Sequence, residues 1–137
     1  MDRKEFCVLM AKAKQESGRG TSDISFDMKM LLPTLRRFEK GEHNFNLKKV
    51  MEYLQVTNAH IQIDKNIIAD YENLLAWLVD IRKTHSLSQR ALAKEIECAP
   101  LTIANIERKE TIISIDTFLK IVDVLGCTIN IENNKFV

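Results

Sequence analysis

The sequence predicts a mainly α-helical protein made of two tandem helical units, each ending in a short β-strand, with the two strands paired. Three observations predict it. The chain of 137 residues aligns with itself without gaps at an offset of 68. Apolar residues recur at helical spacing through most of both halves. Two five-residue stretches, Ala59–Ile63 and Cys127–Ile131, alternate apolar and polar side chains with the period of a half-buried strand.

At the offset, Glu39 falls on Glu107, Thr34 on Thr102, Glu42 on Glu110, Val56 on Val124, Ile61 on Ile129 and Ile63 on Ile131. Similar residues extend the match: Lys14 with Arg82, Met10 with Leu78, Ile24 with Leu92, Leu35 with Ile103 and Phe38 with Ile106. Charge and bulk are kept at helical positions, the signature of a repeated unit. The first unit is assigned residues 1–64 and the second 65–137, with a short join near Asp64–Asp70.

In the second unit Leu74, Leu75, Leu78 and Ile81 form the apolar stripe of a first helix, and Phe6, Leu9, Met10 and Ala13 do the same in the first. Ser88 caps a helix from Gln89 to Ile96. Pro100 then suits the first position of a third helix, where its missing N–H would have no partner in any case. Asn46 and Ser114 cap a further helix in each unit, and Asn58 and Gly126 end it in the left-handed conformation both residue types tolerate. A lone strand leaves its backbone groups unpaired, so the two terminal strands are expected to pair, within the chain or across a dimer.

Composition narrows the function. With 45% apolar and 28% charged residues the chain is that of a folded protein. No apolar run reaches membrane-spanning length, and Met1–Phe6 carries charges of both signs, so the sequence predicts a cytoplasmic protein with no membrane association. Net charge is +1. By residue count it divides unevenly: residues 1–68 hold 12 basic and 9 acidic side chains, residues 69–137 hold 8 and 10. The first half is the better phosphate surface. Cys7, Cys98 and Cys127 are far apart and unaccompanied by histidine at ligand spacing, so they read as small buried residues. No nucleophile, paired carboxylates, metal set or phosphate-cradling loop is present at recognisable spacing, and no enzymatic activity, metal or cofactor is expected. Met28, Met30, Leu31 and Leu32 read as core, and Trp77 as half-buried at the join or at a subunit contact.

The second unit runs Leu87-Ser88-Gln89-Arg90-Ala91-Leu92-Ala93, Thr102-Ile103-Ala104-Asn105-Ile106-Glu107-Arg108 and Leu119 to Gly126. It resembles the phage-repressor-like (Xre-type) helix-turn-helix family. Its segment from Ser114 through Ile131 is similar to the antitoxin branch of that family. The first unit resembles a more diverged member, best over the stretch from Ile24–Met28 through Leu35–Gly41. The glycine such families place between the two helices is Lys29 or Glu97 here, and the serine before the reading helix is Leu31 or Ala99.

The resemblance implies two lambda-repressor-like units that bind double-stranded DNA as a transcriptional regulator of the repressor kind. The second helix of each pair would enter the major groove while the first lies across the backbone. Base-reading positions would be Thr102, Asn105 and Arg108 in the second unit and Thr34, Arg36 and Arg37 in the first. Gln89, Thr21 and Lys40 would hold phosphates. Leu32, Pro33, Pro100 and Leu101 would open the reading helices, able to touch a thymine methyl but not to hydrogen-bond a base. Structural ion pairs Arg82–Glu107 and Lys14–Glu39 are also implied. The alternative reading is an antitoxin-like or adaptor protein in which one unit grips a protein partner, toxin-like by the resemblance; a homodimer is the other partner it implies.

Overall fold

The computed structural model describes residues 1–135. In chain order the elements are α1 (Arg3–Ser17), α2 (Thr21–Met28), α3 (Leu32–Lys40), α4 (Leu47–Val56), β1 (Ala59–Ile63), β2 (Asn66–Ile68), α5 (Tyr71–Thr84), α6 (Gln89–Glu95), α7 (Thr102–Glu107), α8 (Ile115–Val124) and β3 (Ile129–Asn133). The protein is mainly helical with a small three-stranded antiparallel sheet.

Side-chain caps set the helix starts. Asp2 accepts from the Glu5 amide at 2.8 Å and Asp70 from the Asn73 amide at the same distance, 68 residues on. Asn46 and Ser114 accept from the amides of Lys49 and Thr117, and Ser88 from that of Ala91. Each satisfies one of the donors a helix leaves free in its first turn. Past α4 and α8 the chain turns through left-handed backbone at Asn58 and Gly126, with φ of 54° and 69°. Gly41, at φ 69°, closes α3, and a Cβ there would stand 3.1 Å from the Cys7 sulfur. Cys7 is buried beneath it, and burial pushes its thiol pKa up to about 11.

The sheet order is β2-β1-β3, so β1 lies at the centre. Gln62 stands opposite Asn130, flanked by Ile61 opposite Ile131 and Ile63 opposite Ile129. The expected pairing of terminal strands thus occurs within the chain. Ala59, Ile61 and Ile63 turn inward, while His60 and Gln62 are half-buried on the other face.

The two halves meet again at Asn46 and Ser114. The Leu47 amide donates to the Ile113 carbonyl at 2.9 Å and the Ile115 amide to the Phe45 carbonyl at 2.7 Å. Nearby, Arg3 forms a two-pronged ion pair with Asp116, at 3.0 and 2.6 Å. Sixty-eight residues along from Arg3 is Tyr71, whose ring lies 5.4 Å from the Lys48 ammonium, and Lys48 in turn matches Asp116. A cation–π contact therefore occupies the place of an ion pair.

Hydrogen bonding to Arg3 holds the Asp116 carboxyl below its ordinary value of 3.8. A depressed carboxylate pKa stabilises the fold above the unfolded value, and that contribution is lost as pH falls through the folded one. Both side chains are partly exposed, so the effect is below about 1 kcal/mol. Urea unfolding of wild type and Asp116→Asn at pH 7 and pH 3 should show the variant's deficit at pH 7 shrinking at pH 3; a deficit unchanged by pH refutes the assignment.

Five expectations are corrected. The Asp64–Asp70 join is not a plain linker: β2 pairs with β1 through a turn at Asp64, whose φ is 52°, and Ile68 is buried. The second terminal strand is Ile129–Asn133, two residues later than Cys127–Ile131, because Ala59 pairs with Asn133. Trp77 is buried, edge-on to Phe118 with ring centroids 6.2 Å apart. The run Met28–Leu32 divides: Met28 is buried, while Leu31 and Leu32 are 76% and 37% exposed. Of the cysteines only Cys7 is fully buried; Cys98 and Cys127 are half-buried. One continuous apolar core joins residues of both halves, from Phe6 to Ile131.

Candidate nucleic-acid interface

Two corners of the fold share one geometry. Between α6 and α7 the Glu97 amide donates to the Lys94 carbonyl and the Cys98 amide to the Ala93 carbonyl. Between α2 and α3 the Lys29 amide donates to the Phe26 carbonyl and the Met30 amide to the Ser25 carbonyl. This paired closure requires a left-handed residue at the corner. Glu97 and Lys29 supply it, at φ 58° and 55°. They stand where the helix-turn-helix resemblance has glycine, so the conformation is kept without the residue that adopts it most readily.

The second helices begin differently. α3 starts at Leu32 with Pro33 in its first turn. α7 starts at Thr102, two residues later than the expected start at Pro100. Pro100 occupies instead the second position of a turn closed by the Thr102 amide on the Ala99 carbonyl, at 3.0 Å. Proline's fixed φ suits that position, and Leu101, at φ −90° and ψ −3°, completes the turn.

Each corner is braced from behind. Arg82 on α5 grips Glu107 at the end of α7 through two bonds, Nε to Oε2 at 2.8 Å and Nη2 to Oε1 at 2.9 Å, and donates a third to the Leu87 carbonyl. The Arg82 and Glu107 side chains are 9% and 8% exposed. Gln89 Nε2 also donates to Glu107 Oε1, at 3.0 Å. In the first half Lys14 stands 3.1 Å from Glu39 and donates to the Thr21 hydroxyl at 2.7 Å, while the Tyr53 hydroxyl donates to Glu39 at 2.6 Å. Burial and then the Glu39 carboxylate hold the Tyr53 hydroxyl pKa far above its usual value. Gln89 and Thr21 thus direct their polar groups at the braces.

The outward surfaces differ. On α3, Arg36, Arg37 and Lys40 are exposed and Thr34 is half-buried. No carboxylate among the described residues lies within ion-pair distance of those three cations. On α7, Thr102 and Asn105 are half-buried. Arg108 donates to Asn105 Oδ1 at 2.6 Å and lies 3.5 Å from Glu110. α3 therefore presents free positive charge, and α7 presents a cation already engaged with its neighbours. Leu32, Pro33, Pro100 and Leu101 are all exposed.

The sequence reading missed Arg90 and Lys94, both exposed on α6, and Phe26, which is 83% exposed on α2. Phe26 falls two residues from each of Ile24 and Met28, both buried, and that spacing puts it on the opposite side of the helix. Among the described residues, no group of three or more His, Cys, Asp or Glu side chains could hold a metal, and no helix is long and apolar enough to cross a membrane.

A sequence model of the helix-turn-helix family matches residues 78–131, from within α5 into β3. This segment contains the α6–α7 corner and its brace, and the match points to DNA binding. No curated protein and no solved structure matches the chain.

Proposed function

We propose that the protein is a sequence-specific DNA-binding transcriptional regulator, acting as a repressor, in which two helix-turn-helix units form a pseudo-dimer within one chain. The observation that carries this reading is the family match over residues 78–131, which coincides with a braced helical corner. Support for a second unit comes from contacts related by the 68-residue offset: the corner closures at Lys29 and Glu97, the bridge of Asn46 to Ser114, and the pairing of Gln62 with Asn130. A twofold axis between the halves accounts for each residue meeting its own counterpart.

In this reading α3 and α7 enter successive major grooves with half-sites about 34 Å apart, one turn of DNA. Arg37 takes a guanine edge through two hydrogen bonds and Asn105 an adenine edge, each worth about 1–3 kcal/mol of discrimination. Thr34, Arg36, Thr102 and Arg108 complete the reading surfaces, with Lys40 on a phosphate. Because Arg36-Arg37 is matched by Ala104-Asn105, the operator is asymmetric. Asn105 must first release Arg108.

The test is selection of bound duplexes from a random pool with wild type, Arg37→Ala and Asn105→Ala, followed by affinity measurements at several salt concentrations. The expected result is an asymmetric motif that each variant degrades at a different position. Each phosphate neutralised should add about 0.9 to the slope of log affinity against log salt. Loss of specificity with Asn105→Ala alone would confine DNA reading to the second half. No enriched duplex and a slope near zero would instead favour the antitoxin-like or adaptor reading.

A further inference from the structure

The α2–α3 corner carries an apolar patch that the fold does not use. Phe26 is 83% exposed, Leu31 76% and Leu32 37%, and they share a surface groove of about 550 Å³ with Ser22, Lys29 and Met30. Single exposed apolar side chains are ordinary, but here three meet around one groove. The groove lies where α3 begins, the end that the proposed function places in the DNA.

The chemistry of the patch restricts what it can recognise there. Leu31, Leu32 and Pro33 offer no side-chain donor or acceptor, and Pro33 has no N–H, so the residues that open α3 before Thr34 cannot take up the polar pattern of a base edge. The apolar group on a standard base edge in the major groove is the thymine C5-methyl. Lys29 lines the groove, and Arg36 and Arg37 follow one turn along α3 from Leu32 and Pro33. All three are exposed and without a carboxylate partner among the described residues, against the exposed carboxylate of Asp23, one turn before Phe26 on α2. That free positive rim complements phosphates on either side of a groove and makes DNA the occupant the charge favours.

We infer that Phe26, Leu31 and Leu32 form a thymine-methyl reader, seating the C5-methyl groups of adjacent thymines at the edge of the first half-site. This rests on the DNA-binding reading and adds a base preference to it. The matching residues of the second half are Lys94, Ala99 and Pro100, polar or smaller, so the three-residue patch belongs to the first half, and the second half offers a methyl only Pro100 and its neighbour Leu101. The apolar start of α3 thereby supplies specificity without hydrogen bonds.

The test compares random duplex pools that differ only in carrying uracil in place of thymine, which deletes the methyl and leaves every hydrogen-bonding group. Wild type should enrich adjacent thymines beside the Arg37 position from the first pool and lose that preference in the second. On the selected duplex, uracil at those positions should weaken binding about fourfold for each methyl covered. Phe26→Ser and Leu31→Ser, both at exposed sites, should bind thymine and uracil duplexes equally while keeping the wild-type melting temperature. Identical motifs from both pools would overturn methyl reading and leave DNA reading standing. No enrichment from either pool would overturn DNA reading itself. Self-association abolished by Phe26→Ser, with no thymine preference, would make the patch a protein contact instead.

Discussion

Replacing Glu107 with glutamine is expected to lower stability by about 3–5 kcal/mol, because it leaves the Arg82 guanidinium buried without its counter-charge. Both side chains are less than a tenth exposed, and Arg82 donates two bonds to the carboxylate and one to the Leu87 carbonyl. Water cannot replace the lost charge at that depth. The equivalent change at Glu39 should cost less. Lys14 and Glu39 are 23% and 17% exposed, so the ammonium can turn toward solvent. Urea unfolding of the two variants measures the contrast. Glu107→Gln within 1 kcal/mol of wild type would show that the pair is not a brace, and equal losses in both variants would show that burial does not set the difference between the two pairs. The prediction bears on function because Glu107 ends α7: loosening it should weaken DNA binding at every sequence before it alters base preference.

The second large effect is expected at the sheet. Ile61→Ala should cost about 2–5 kcal/mol, since Ile61 is fully buried in β1 and truncation leaves a cavity the surrounding strands can only partly close. Ile61 pairs with Ile68 on one side and Ile131 on the other, so the cavity opens between the halves. Trp77, the single tryptophan, lies in the second half against Phe118. With one continuous core, its fluorescence should shift to lower urea by the same amount as the far-ultraviolet signal. A Trp77 transition that stayed in place while the helical signal moved would mean the halves unfold separately.

Much of this architecture was legible in the chain because it is written in local chemistry. The caps Ser88, Asn46 and Ser114 act within three residues of themselves, and the left-handed ends at Asn58 and Gly126 are single-residue preferences. The strands showed in a period of two, while the pairing of Arg82 with Glu107 came from the helix-turn-helix resemblance and recurs as Lys14 with Glu39. The misses have a common origin. Ile67 and Ile68 in the join gave no usable pattern, since a three-residue strand exists only by pairing with β1. Pro100 suits a turn as well as a helix start, and the hydrogen bond from Thr102 to Ala99 decided between them.

By itself, then, the sequence determined the helical class, the recurring order of elements at an offset of 68, the caps, and the helix-turn-helix resemblance of the second half. These depend on neighbours a few residues away or on self-comparison. Only the tertiary structure decided that β1 is the central strand, that Trp77 is buried, that Gln89 and Thr21 serve the braces, and that Phe26, Leu31 and Leu32 face outward together. Each of those follows from which surfaces remain once two helical halves have buried their apolar faces in one core. Burial is a property of packed neighbours distant in the chain, and local sequence does not specify which of its apolar residues will be left over.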